Sequence, residues 1–130
     1  QTILSLDHKI EEFCKVAPTV QGTPEEIFER EWARSLIEKV KEDLEHELVK
    51  SKKKIYFDVF DRYVLSRSAD GELTYADVAK EFELEEKEIS KILVHCRERM
   101  RRLTTERIRE YVAEEKDVPK EYVQVMRLLG

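Results

Sequence analysis

Apolar residues recur along this chain at steps of three and four, separated by short polar breaks, and this spacing predicts a string of amphipathic helices. Leu6, Ile10, Phe13 and Cys14 fall on one face of a short first segment, expected to be a helix or an arm on the body. Thr23, Pro24 and Glu26 then supply an N-cap, a first-turn proline and the capping-box glutamate of a long helix. Its apolar stripe is Phe28, Trp32, Leu36, Ile37, Val40, Leu44 and Leu48, and the run Lys50, Lys52, Lys53, Lys54 marks its end. About seven turns are expected.

A denser stripe follows, Ile55, Tyr56, Val59, Phe60, Tyr63 and Val64, which reads as a central core helix closed by the turn-forming residues Ser66 to Gly71. Thr74 and Asp77 cap a short helix whose Tyr75, Val78, Ala79 and Phe82 turn inward. Across the break Glu83-Leu84-Glu85, a second helix places Ile89, Ile92, Leu93, Cys96, Met100 and Leu103 in one buried stripe. Two short amphipathic patterns across a three-residue break form a helix-turn-helix signature. A last helix carries Tyr122, Val123, Val125, Met126, Leu128 and Leu129, expected to pack on the body rather than to serve as a dimer contact.

Three Gly and three Pro in 130 residues, with 41% charged residues, favour an all-α class and a small helical bundle. The length suits one compact domain, residues 23–130, preceded by an arm or linker over 1–22. No apolar run approaches the ~20 residues of a membrane span, and no secretory leader is recognisable, so the reading is a cytoplasmic protein with no membrane partner. Cys14 and Cys96 sit among apolar neighbours far apart in sequence and read as buried thiols.

Charge changes the picture. The chain carries a net charge of -5, yet Lys87 to Arg109 holds eight basic against three acidic residues, a balance of +5 that leaves -10 elsewhere. Opposite the buried stripe, about 100° per residue puts Lys87, Lys91, Val94, His95, Glu98, Arg101 and Arg102 on one face. Arginine donates a fork of hydrogen bonds to guanine, lysine neutralises phosphate, and Val94 suits a thymine methyl. The competing reading is a solvated face whose charges pair with the chain's many glutamates. Both stay open from the pattern alone.

Catalysis finds no foothold. His8, His46 and His95 show no metal-ligand spacing with each other or with the cysteines, no glycine-rich phosphate loop is present, and Glu25-Glu26 and Glu114-Glu115 read as solvated helix ends. No enzyme activity and no cofactor are expected.

From Thr23 onward, the segments TPEEIFEREWARSLIEKV, LTYADVAKEFELEEKEISKILVHCRERMRRL and ERIREYVAEE followed by KEYVQVMRLLG resemble the C-terminal region-four domain of extracytoplasmic-function-type bacterial sigma factors. The resemblance implies a helical bundle whose recognition helix, Glu86 to Leu103 here, enters the major groove of the promoter minus-35 element. A second surface would dock on the flap of the RNA polymerase beta subunit, and an anti-sigma or other regulatory protein is a further implied partner. The DNA-facing positions it implies are Lys87, Ser90, Lys91, Val94, His95 and Arg97, with Arg99, Arg101 and Arg102 toward the DNA backbone or the polymerase. Where the family commonly has glycine in the turn and Ser or Thr at the N-cap, this chain has Glu83 and Glu85, which is expected to remove the usual positive-φ residue. The region-two domain that melts the minus-10 element has no counterpart in these residues, so initiation by this chain alone is not implied. The alternative is a helical interaction module for polymerase, a regulator or self-association, with little DNA affinity.

Overall fold

The computed structural model describes residues 22–65 and 73–129. Five α-helices and no strands occur among the described residues, an all-α bundle. The expected arm over residues 5 to 16, Cys14, and the Ser66 to Gly71 turn lie outside the described residues.

The first helix, α1 (Pro24–Lys50), starts where its sequence places it. Thr23 Oγ1 accepts the Glu26 N–H at 3.2 Å and the Thr23 N–H donates to Glu26 Oε1 at 2.8 Å, so both members of the capping box are used. The other end stops on a Schellman pattern: Lys52 takes φ 62°, its N–H donates to Val49 O at 3.1 Å, and the Lys53 N–H reaches Leu48 O at 2.7 Å. The chain then reverses into α2 (Lys54–Phe60), which runs on as one π-helical turn, Asp61–Leu65.

Next comes α3 (Tyr75–Phe82), capped by Thr74 and Asp77 as the sequence predicts. Helix α4 (Glu86–Arg109) follows, then a 3-10 turn (Glu115–Asp117) and α5 (Val118–Leu129). The core unites Ile37 and Leu44 of α1, Phe60 of α2, Ile89 and Leu93 of α4, and Met126 of α5, all essentially inaccessible. Burial of such aliphatic and aromatic side chains, about 1.5–3 kcal/mol each, contributes most of what holds the bundle together.

Two expectations change on contact with the fold. The middle of the bundle is α4 rather than α2, for α4 packs on α1, α2, α3 and α5 alike. In α2, Ile55 is exposed while Tyr56 is half-buried, as is Tyr63 in the π-helical turn that follows. The long α1 stripe also divides. Leu36 through Leu48 are buried together with Ala33, but Phe28 is 72% exposed and Trp32 stands at the surface with its ring edge-on to Tyr111 at 5.5 Å. At 100° per residue Phe28 and Trp32 lie well off the Ala33–Ile37–Val40–Leu44 line, so they share a period with the core but not its direction.

The last helix packs as expected. Tyr122, Val125, Met126 and Leu129 are buried against α1 and α4, and Val123 points outward. The Tyr111 hydroxyl, at the end of α4, donates to Glu121 Oε2 at 2.9 Å and ties the two helices across the 3-10 turn. Partial burial and that acceptor push the phenol well above its usual range.

Candidate functional site

The junction of α3 and α4 is built without glycine. Glu83 adopts φ 58° and ψ 45°, its N–H donates to Lys80 O, and the Leu84 N–H reaches back to Ala79 O at 2.8 Å. This is the same Schellman ending that closes α1, with half-buried Leu84 as its apolar partner. The expectation that glutamate abolishes the left-handed residue is therefore corrected: the conformation is kept, at a steric cost of roughly 1–2 kcal/mol that glycine would not incur.

The acidic start of α4 has a local reason too. The Glu85 N–H donates to Glu88 Oε1 at 3.1 Å, and Glu86 and Glu88 lie in the first turn, where carboxylates offset the helix dipole.

From this start the inner stripe runs as predicted. Ile89, Ile92, Leu93, Cys96, Met100 and Leu103 are all buried. Cys96 is fully enclosed, with Sγ 3.6 Å from Tyr56 O, and burial pushes its thiol up to about 12.

The predicted functional positions do not form one surface. Lys87, Lys91 and Val94 are exposed on a single line, Val94 at 62%, and Lys87 lies 3.8 Å from Glu85. Ser90 is half-buried beside them. His95 is half-buried, its ring edge-on to Tyr56 at 5.4 Å, so it packs as much as it presents. Arg97 is half-buried and engaged within the chain.

Further along, the arginines are committed to carboxylates. Arg99 grips Glu47 of α1 through two hydrogen bonds, Nε to Oε2 at 2.6 Å and Nη2 to Oε1 at 2.5 Å. That fork holds the Glu47 carboxyl below its ordinary value. Arg102 and Arg101 both bind Glu98, the former at 2.7 Å, and the Arg102 hydrogen bond is the larger cause of Glu98's lowered pKa. Arg107 forks onto Asp43 at 2.7 and 2.8 Å, and Arg109 onto Glu115 at 3.0 Å. Much of the +5 balance read along Lys87 to Arg109 is thus met inside the fold.

One group of cations joins the face from elsewhere. Lys53 Nζ lies 5.4 Å from the centroid of the same Tyr56 ring that holds His95. The turn between α1 and α2, with Lys50, Lys52, Lys53 and Lys54 exposed, is therefore carried to the His95 flank of α4. In the sequence these lysines read only as a helix end. Their run is visible there, but the 40-residue loop closure that brings Tyr56 to Cys96 is not.

Among the described residues, no group of His, Cys, Asp and Glu is placed to hold a metal ion, and no helix is long and apolar enough to cross a membrane. Comparison of the chain with protein-family models, curated proteins and solved structures yields no match.

Proposed function

We propose that this chain is a sigma-factor-like transcription-initiation domain that binds duplex DNA of the promoter minus-35 type through the first three turns of α4 and docks on RNA polymerase in the cytoplasm. The reading rests on the resemblance of its three segments to sigma region four and on one observation: Lys87, Lys91 and Val94 stand exposed on one line of α4, flanked by the lysine turn beside Tyr56 and His95. An α-helix fits the width of the major groove, an exposed valine one turn beyond the lysines suits a thymine methyl beside a phosphate, and the flanking lysines suit a second backbone strand.

The pairing of the arginines narrows the proposal. With Arg97 half-buried and engaged within the chain, the base-facing set reduces to Lys87, Ser90, Lys91, Val94 and His95, and with Arg99 on Glu47 and Arg101 and Arg102 on Glu98 the backbone-facing arginines are occupied as well. Four glutamates, Glu83, Glu85, Glu86 and Glu88, surround the entrance, so affinity should be low, with a salt slope that reflects only a few phosphate contacts. Those same glutamates favour the second reading, a protein-interaction module that docks on polymerase or an anti-sigma regulator with little DNA affinity.

Fluorescence anisotropy of a minus-35-like duplex, titrated with the protein at several salt concentrations and repeated with a peptide of the polymerase flap, separates the two. DNA binding whose affinity falls with salt supports the first reading. Flap binding with no duplex binding even at low salt replaces it with the second.

A further inference from the structure

We infer that the outward edge of α1 is a self-association surface on which a second copy of this chain packs antiparallel, about a two-fold axis at Trp32. An exposed apolar side chain is ordinary by itself. Here, however, Phe28, 72% exposed, and Trp32 lie one turn apart, so the two side chains share one edge of the helix. Immediately beyond them is a cleft of about 140 Å³ between Trp32, Leu36 and Lys39 of α1, Arg107 of α4, and Tyr111 just past its end. A projecting phenyl ring and an aromatic-walled cleft on one edge of one helix are the two halves of an isologous contact, in which the same patch serves both partners.

Register and charge agree on the occupant. A two-fold axis at Trp32 sets every residue opposite the one equally far along the other copy. Phe28 then lies over the partner's cleft, whose wall includes the largely buried Leu36, Trp32 meets Trp32, and exposed Glu25 meets exposed Lys39. All five positions fall within about a quarter-turn of the helix at 100° per residue, as a straight helix–helix contact requires. A parallel pairing would set Glu25 against Glu25 and Lys39 against Lys39, and like charges at both ends would oppose it. Phe28 is the anchor, because aromatic side chains seated in a partner's pocket carry most of the energy of small interfaces. The contact is separate from the Lys87–Val94 line of α4 and does not depend on DNA binding.

Sedimentation velocity of the full chain from micromolar to near-millimolar concentration tests this, with Trp32 emission as an internal reporter because it is the only tryptophan. The expected result is a monomer–dimer shift with a blue shift of emission as concentration rises. Phe28→Asp should raise the dissociation constant at least about tenfold, the loss of about 1.4 kcal/mol, and Phe28→Ala should weaken it in the same direction. Since Phe28 is exposed, unchanged circular dichroism is expected for both. Glu25→Lys and Lys39→Glu should each weaken the dimer, while the double variant recovers it. A chain that stays monomeric throughout, a dimer undiminished by Phe28→Asp, or a double variant no tighter than either single one would overturn the inference.

Discussion

Arg99 and Glu47, 52 positions apart, meet as a fork of two hydrogen bonds on the seam between α4 and α1, and eight residues along the same seam Arg107 repeats the arrangement with Asp43. The two pairs run in opposite sequence directions on the two helices, which fixes α1 and α4 as antiparallel neighbours. They also settle what these arginines do in the free protein: they join helices.

Glu47→Gln is expected to lower stability by about 1 kcal/mol, near the upper end for partly exposed pairs because the fork is bidentate. The pH dependence follows from Glu47's lowered pKa. Its contribution is complete above the ordinary carboxylate value of 4.5 and is lost as pH falls through the lower folded-state value. Urea melts of wild type and Glu47→Gln should therefore differ at pH 7 and converge in acid. A constant difference down to pH 2 would contradict the pairing.

Alanine at Lys87 and Lys91 together is expected to weaken duplex DNA binding and to reduce the slope of log K against log salt by about 1.8, close to 0.9 for each phosphate contact removed. Arg99→Ala should instead leave that slope nearly unchanged while lowering the melting temperature. Anisotropy titrations paired with thermal melts read both. If Arg99→Ala flattens the slope as much as the lysine pair does, the division of α4 into a ligand-facing and a helix-joining half fails.

Replacing Lys52 and Lys53 with alanine should weaken binding by a similar factor on any duplex, whatever its sequence, because contacts to phosphate carry no base information. Val94→Ala should instead reduce the preference that the wild type shows for duplexes with thymine at the contacted position over those without it. Competition between two such duplexes, measured for each variant, checks the assignment.

Much of the bundle is legible in the sequence because its local signals are strong. Thr23-Pro24-Glu26 and Thr74-Asp77 mark helix starts by chemistry that acts within four residues, and the Ile89-to-Leu103 stripe has only one face to bury. Phe28 and Trp32 mislead because a three-and-four spacing states that residues share a side without stating which side the neighbours occupy. The candidate site is less legible for a related reason. Arginines on a helix look alike until the fold brings Glu47, Asp43 and Glu115 to three of them, and neither those partners nor the Lys53–Tyr56–His95 stack leaves a mark at short range in the sequence. Glu83 carries the opposite lesson: tertiary anchoring through Leu84 imposes a backbone conformation that its own side chain disfavours.

Glu83→Gly follows from that strain. Glycine at φ 58° removes the steric cost and adds some unfolded-chain entropy, for an expected net stabilisation of about 0.5–1 kcal/mol. The same change takes one negative charge from the α4 entrance, so DNA affinity at low salt should rise. Thermal melting and anisotropy on the one variant test both; a lowered melting temperature would show that Glu83 holds the turn by contacts of its own.

The length of α4 gives the α1 seam a further meaning. Twenty residues, about 30 Å, separate Arg107 from Lys87, so the arginine forks fix one half of a rigid rod whose other half carries the exposed lysines. Over that length a difference of only about 5° in how the rod is set would displace its Lys87 end by roughly 2–3 Å, close to the spacing between successive base pairs. Aim at the front of the molecule is thus set at its back.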